Sequence, residues 1–380
     1  MNILVISRNY PSEYNPNNGA FVYNLMQELG KDHKITIISP NKLRVRGRKN
    51  STSYGNEICN VYRPGYLSLS NRQFFGVNTG LLTSFFYKKA VQKVLKKLSM
   101  RPDLIYVHFL SNIEPILTYG LKEAIPIVAA SGESTYTYWL QTTSKKTRNK
   151  IIENLKYLIC VSHENSHRLQ DMGFTNQEMV VIPNAVDYSL FKPLDKASCK
   201  EKLSIPKEKF TVGFIGHFIN RKGPNRVIEA IRLLNDKDIH LICVGGEGDL
   251  LPNDFTTEIN PVPNYQLPEI YNAFDIFVLP TLHEGSCNVI EEAKACGIPI
   301  VSSKGTSVEE QVDESIGILV DPMNIQEIAQ SIAILKRDKR KLEMMRGALL
   351  NMRGQNSIQE RAKKIKKIFD SVVISSGVSS

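Results

Sequence analysis

Nowhere in its 380 residues does this sequence run apolar for the roughly 20 positions that cross a bilayer. The opening Met1-Asn2-Ile3-Leu4-Val5-Ile6-Ser7 is too short for the apolar region of a signal peptide and has no basic segment before it, so a cytoplasmic protein is expected. Six cysteines, at 59, 160, 199, 243, 287 and 296, form no C-x-x-C pair and no zinc-type spacing with histidine, which points to reduced thiols and no metal. Also missing is a G-x-G-x-x-G after the first apolar run, where Ser7-Arg8-Asn9-Tyr10-Pro11 stands; this disfavours a dinucleotide-dependent oxidoreductase. The absence of a solenoid repeat or a low-complexity tract favours a compact enzyme over a scaffold.

The composition, 42% hydrophobic and 23% charged, is that of an ordinary globular chain, and the length favours two domains. Short apolar runs recur at Ile3–Ile6, Ile35–Ile38, Leu104–Val107, Ile125–Val128 and Leu158–Val161, separated by amphipathic segments of helix length. A second series follows at Phe210–Ile215, His240–Val244, Ile276–Leu279, Ile298–Val301 and Ile318–Val320. Such alternation reads as α/β architecture, with two Rossmann-like, doubly wound parallel sheets, each covered on both faces. The stretch Phe191-Lys192-Pro193-Leu194-Asp195 to Ile205-Pro206 has a proline near each end and is placed as the linker. The expected domains are thus 1–190, 191–360 and a helical tail 361–380. Two facing units of this kind would leave a cleft lined by the loops after the strands.

The net charge of +10 is uneven: residues 1–190 carry 23 Lys+Arg against 13 Asp+Glu, and residues 191–380 carry 25 against 25. The first half therefore suits an anionic partner. Between Ser84 and Leu98, Val91, Val94, Leu95 and Leu98 form one stripe, most simply packed on the sheet, and Lys88, Lys89, Lys93, Lys96 and Lys97 lie largely elsewhere. With Lys42, Arg44, Arg46, Arg48 and Lys49, they suggest peripheral contact with an anionic membrane at its inner face. No nucleic-acid partner is expected, because these residues lack the interleaved aromatics of a stacking platform.

The strongest local signal is Leu279-Pro280-Thr281-Leu282-His283-Glu284-Gly285-Ser286-Cys287-Asn288-Val289-Ile290-Glu291-Glu292-Ala293, a strand running into a helix. A helix starting near Ser286 would offer unpaired N–H groups and a positive dipole end to a diphosphate. Glu284 could accept from sugar hydroxyls and Glu292 from a ribose; on spacing alone, a capped surface helix with two solvated acids fits equally well. A second signal is Val212-Gly213-Phe214-Ile215-Gly216-His217-Phe218-Ile219-Asn220-Arg221-Lys222-Gly223. Here Gly216 would let backbone approach a ligand, and Arg221 and Lys222 could neutralise a departing diphosphate without a metal. Asp236-Lys237-Asp238 matches a D-x-D metal motif but reads as a solvated turn, and Cys287 reads as a small lining residue.

Together these segments resemble the family 4 glycosyltransferases, which implies the two-domain GT-B fold, retention of anomeric configuration and a nucleotide-sugar donor, UDP- or GDP-linked, with no cofactor. Glu284 to Glu292 is similar to that family's E-x7-E motif, implying contact of Glu284 with the donor sugar and of Glu292 with its ribose. Lys222 looks like the family lysine on the donor phosphates, Asn18-Gly19-Ala20 like the glycine loop after the first strand, and His108 like the histidine near the reacting sugar. Val181-Ile182-Pro183-Asn184-Ala185-Val186-Asp187, Tyr271-Asn272-Ala273-Phe274-Asp275 and Ala295-Cys296-Gly297-Ile298-Pro299 match in order. The resemblance implies His108, Lys222 and Glu284 as catalytic residues. It implies Gly19, Gly216, Arg221, Lys222, Glu284, Gly285, Ser286, Cys287, Asn288, Val289 and Glu292 as donor-binding residues.

Three positions depart from the family pattern: His217 for an arginine, Ser286-Cys287-Asn288 for the usual residues after the first Glu-Gly, and Ser131-Gly132-Glu133 where a histidine is common. Glu133 is left without a role. The acceptor implied is a glycan or a lipid-linked sugar of a cell-surface pathway. A nucleotide-sugar epimerase of the same fold and a non-catalytic nucleotide-sugar-binding subunit are the alternatives.

Overall fold

The computed structural model describes residues 1–13, 15–16, 18–43, 58–69, 73–74, 77–175 and 178–377. Of the expected basic surface, Arg44, Arg46, Arg48 and Lys49 lie outside the described residues. The chain divides into two units, Met1–Pro183 with Ile358–Ser380, and Asn184–Ser357.

The first unit is built on seven strands: β1 (Asn2–Ile6), β2 (Lys34–Ile38), β3 (Asn60–Tyr62), β4 (Leu104–His108), β5 (Ile127–Ser131), β6 (Tyr157–Cys160) and β7 (Glu178–Val181). They pair in the order β7-β6-β5-β4-β1-β2-β3, parallel throughout. Every residue of β4 and β5 is buried, as strands covered on both faces require. The apolar stripe of the helix Thr79–Leu95 is buried, with Val91 at 0%, Val94 at 8% and Leu95 at 7% exposure, so it packs on the sheet.

The second unit has six parallel strands: β8 (Phe210–Ile215), β9 (Ile239–Val244), β10 (Thr256–Ile259), β11 (Ile276–Leu279), β12 (Ile300–Ser303) and β13 (Gly317–Val320), in the order β10-β9-β8-β11-β12-β13. The expected linker falls inside this unit instead of before it. Its middle forms the helix Lys196–Lys202, held by Lys196 and Lys200 on the carboxylate of Asp275 at 2.6 and 3.0 Å, while Phe191 and Cys199 enter the same core as β8.

The chain therefore passes between the units at Pro183–Asn184 and again at Ser357–Ile358. The final helix, Ile358–Ser375, returns to the first unit, where Phe369 is fully buried with its ring 5.0 Å from that of Tyr106. The expected tail is thus a structural part of the first unit, because its apolar face is what covers that side of the sheet.

Candidate active site

Two loops at the carboxyl ends of adjacent strands are bonded to each other in the second unit. The carbonyl of Arg221, after β8, accepts from the Leu282 N–H at 2.8 Å and from Thr281 Oγ1 at 3.3 Å, both after β11. That register brings two cations to one carboxylate oxygen. Lys222 Nζ lies 2.6 Å and Arg221 Nη1 3.0 Å from Glu284 Oε1, and Thr281 Oγ1 donates to the same oxygen at 2.7 Å. The Glu284 and Lys222 side chains are 10% and 12% exposed, so water screens the pair weakly. Arg221 Nη1 also donates to the His283 carbonyl at 2.6 Å, and Ser307 Oγ to the Glu284 carbonyl at 2.8 Å.

The following helix spans Asn288–Ala295, with Cys287 as its N-cap. It starts two residues later than the expected Ser286, whose Oγ accepts from the Asn184 N–H at 3.4 Å, and no side chain caps its first turn. Gln311 holds the N-cap residue itself: its Oε1 accepts from the Cys287 N–H at 2.8 Å, and its Nε2 donates to the Cys287 carbonyl at 3.2 Å and to Glu291 Oε1 at 2.9 Å. The N–H groups of Asn288 and Val289 begin the helix and have no intrahelical acceptor, which leaves the positive dipole end at this loop. Gly285 and Cys287 are buried; Ser286, Asn288 and Val289 are half-buried, and Asn288 Oδ1 has no partner among the described residues. Burial pushes the Cys287 thiol up to about 12, so it carries no thiolate at neutral pH.

Glu292 lies in the second turn, where Tyr271 Oη donates to its Oε2 at 2.9 Å and Asn264 Nδ2 to its Oε1 at 3.0 Å. Burial pushes its carboxyl up to about 7, against these two hydrogen bonds, and among the described residues no ion pair favours the ionised form. The two glutamates of the motif therefore differ in surroundings: Glu284 holds charges and Glu292 holds neutral donors.

Gly216 follows β8, and its carbonyl packs on Gly245, where a Cβ would sit 1.9 Å from that oxygen. Within the protein this close approach demands a glycine at Gly245, in the run Gly245-Gly246-Glu247-Gly248 after β9, while Gly216 itself has φ of 154°. That run was legible as a glycine-rich strand exit and was not singled out. Thr281, Ser307, Gln311, Asn264 and the hydroxyl of Tyr271 were also missed, since single polar residues carry no spacing signal. His217 is exposed and lies 3.3 Å from Glu247, outside the Glu284 cluster. Asp236 and Asp238 occupy a turn before β9, with Lys336 2.5 Å from Asp236.

Two of the expected site residues belong to the first unit. Gly19 ends the loop after β1 with φ of 73°, and a Cβ there would lie 2.2 Å from the Asn9 carbonyl oxygen, so only glycine fits. His108 ends β4 at 3% exposure, its ring 4.7 Å from that of Tyr106; its Nε2 has no partner among the described residues. Burial, with Arg361 nearby, lowers its pKa to about 3, so it is a neutral imidazole. Glu133 accepts from the Leu110 N–H at 2.6 Å, Ser131 Oγ at 2.7 Å and the Gly132 N–H at 3.0 Å, and it braces the loop after β5.

Residues 19–190 match the family described as Glycosyltransferase Family 4, and residues 195–349 that described as Glycosyl transferases group 1. The chain is 26% identical to a Bacillus subtilis protein named as a teichuronic acid biosynthesis glycosyltransferase, TuaC, over 87% of this chain and 88% of the relative. It is 24% identical to the UDP-Gal:alpha-D-GlcNAc-diphosphoundecaprenol alpha-1,3-galactosyltransferase of Escherichia coli, over 84% and 89% respectively. The solved structure of Anabaena HepE in complex with UDP-glucose shares the fold with a TM-score of 0.73 at 17% identity, covering 98% of this chain and all of the other. Two parallel-sheet α/β units of this kind have the GT-B architecture. The chain belongs to the family 4 glycosyltransferases. These matches do not favour the epimerase or the non-catalytic subunit.

Proposed function

We propose that the chain moves a sugar, with retention and without a metal, from a nucleotide-diphosphate donor to a glycan or lipid-linked acceptor of a cell-surface polysaccharide or glycolipid pathway. The observation that carries this reading is the convergence of Lys222 and Arg221 on Glu284 Oε1 beside the first turn of the helix Asn288–Ala295. A diphosphate at that turn would draw off both cations, and the freed Oε1 of Glu284 would accept from sugar hydroxyls. The cations and the helix amides then stabilise the charge that grows on the leaving diphosphate as the sugar becomes oxocarbenium-like. Glu292 takes the ribose hydroxyls, and His108 acts as a neutral hydrogen-bonding group toward the donor sugar or acceptor. Retention rests on the family membership.

A UDP- or GDP-sugar is the proposed donor, supported by the UDP-galactose named for the Escherichia coli relative and the UDP-glucose bound by HepE. The relatives named for teichuronic acid and for a diphosphoundecaprenol acceptor support the pathway. Among the described residues no helix is long and apolar enough to cross a membrane. Peripheral attachment at the cytoplasmic leaflet is proposed instead, through Leu81, Leu82 and Phe85, exposed at 48%, 42% and 51%, beside the exposed Lys89, Lys93, Lys96 and Lys97.

A thermal-shift series with UDP-, GDP- and ADP-sugars on wild type and Glu292→Ala tests the donor assignment, because stabilisation grows with affinity. One nucleotide class should raise the melting temperature of wild type and not of the variant. Equal shifts in both proteins would remove Glu292 from the site.

A further inference from the structure

Arg8 follows β1 at the carboxyl edge of the first sheet, and its guanidinium lies between two aromatic rings. Its guanidinium carbon is 4.2 Å from the ring centre of Tyr87 and 5.3 Å from that of Tyr138, and Nη1 donates to Tyr138 Oη at 3.1 Å. The Tyr87 hydroxyl is itself engaged, donating to Asn112 Oδ1 at 2.8 Å. Burial raises the pKa of both Tyr87 and Tyr66, so these phenols stay neutral and supply no counter-charge. Among the described residues no carboxylate pairs with Arg8, and its buried Nε has no hydrogen-bond partner.

Three other buried cations among the described residues each have two oxygen acceptors. Lys200 holds the Asp275 carboxylate and the Lys209 carbonyl, Arg361 the carbonyls of Ile182 and Pro183, and Arg226 the Pro280 carbonyl and Asn220 Oδ1. Arg361 and Arg226 also lack a carboxylate, but each has two carbonyl or amide oxygens as acceptors, whereas half-buried Arg8 has the single hydroxyl of Tyr138. Desolvating a guanidinium in this way costs free energy that an arriving anion returns, and stacking on Tyr87 holds its planar fork ready for two oxygens. The carboxyl edge of a parallel sheet is also where ligands of such folds sit.

We propose that Arg8 binds the phosphoryl group of the acceptor, which is a phosphate or diphosphate ester of a sugar or of a polyprenyl alcohol. This rests on the reading of the chain as a transferase whose acceptor is received by the first unit.

The test is equilibrium binding of farnesyl diphosphate and of glucose 1-phosphate to wild type, Arg8→Gln and Arg8→Lys, with UDP in excess, and of UDP-glucose alone to the same three proteins. At least one phosphoryl probe should bind wild type, lose affinity about tenfold or more in Arg8→Gln, and recover in part in Arg8→Lys. Binding of farnesyl diphosphate alone identifies a lipid-borne phosphate, of glucose 1-phosphate alone a soluble sugar phosphate, and of both the phosphate itself. UDP-glucose affinity should be the same in all three proteins. If UDP-glucose fails on wild type while phosphoryl binding still depends on Arg8, the donor reading falls and the Arg8 site stands. Arg8→Gln binding as tightly as wild type, or neither probe binding wild type, overturns the inference. If Arg8→Gln melts early, Arg8→Lys and the salt dependence of wild-type binding decide: affinity unchanged by salt overturns it.

Discussion

Lys222 Nζ stands 2.6 Å from Glu284 Oε1, and the two residues come from loops after neighbouring strands, 62 positions apart in the chain. The pair is held by the Arg221 carbonyl accepting from the Leu282 N–H, so the backbone fixes the charge geometry before any ligand is present.

Loss of Lys222 removes a donor whose interaction grows as charge develops on the leaving group. Lys222→Ala should lower kcat by about 10²–10³-fold with a smaller change in donor KM. Steady-state rates of product formation decide this, and an unchanged kcat would take Lys222 out of the reaction.

Glu292 carries a pH signature. Its carboxyl is raised from an ordinary 4.5 to about 7, so the folded chain holds a proton there that the unfolded chain releases earlier. The stability this contributes is fully present below about pH 4.5 and is lost as pH rises toward 7. Glu292→Gln, which cannot ionise, should therefore gain stability relative to wild type between pH 5 and pH 8, by on the order of 2 kcal/mol. Paired urea melts at the two pH values read the difference. A gap that stays constant with pH would mean that Glu292 titrates normally. Donor affinity in wild type should weaken below pH 7 as the carboxylate that accepts from the ribose is protonated.

Gly245→Ala places a methyl group 1.9 Å from the Gly216 carbonyl, a backbone contact that cannot rotate away. The expected cost is about 1–3 kcal/mol, together with weaker donor binding, since the strand exit carrying Gly216 must shift. Denaturant melts and donor titration should move together. A variant with wild-type stability would show that the loop relaxes freely.

Membrane contact through the exposed start of the helix Thr79–Leu95 predicts flotation with anionic vesicles and much less with neutral ones. Replacing Leu81, Leu82 and Phe85 with serine should abolish flotation with little effect on melting, since these side chains are 42–51% exposed. Vesicle binding that survives the triple change would assign attachment to another surface.

Both series of strands were legible because a strand buried on two faces reads as a continuous apolar run. The edge strands β3, β7 and β10 were not, since one side of each meets solvent and their sequences, such as Thr256-Thr257-Glu258-Ile259, mix polar with apolar residues. Within the site, the acids and cations that act by charge had a spacing to read. Gln311 did not: it bonds to Cys287 from 24 positions away, and nothing local marks a glutamine as the partner of that backbone. The linker was misplaced because prolines mark turns without saying which core the turn belongs to. The contacts that decide it, Asp275 with Lys196 and Lys200, are 79 and 75 positions apart.

The return of the helix Ile358–Ser375 to the first unit has a consequence for synthesis. A ribosome emits all seven strands of the first sheet long before it emits Phe369, Ile365 and the rest of the face that covers it. The domain begun first is completed last. Until then it exposes the apolar surface around Tyr106 and the helix Ala20–Leu29, a period in which chaperones can bind and after which cooperative folding of the whole chain becomes possible.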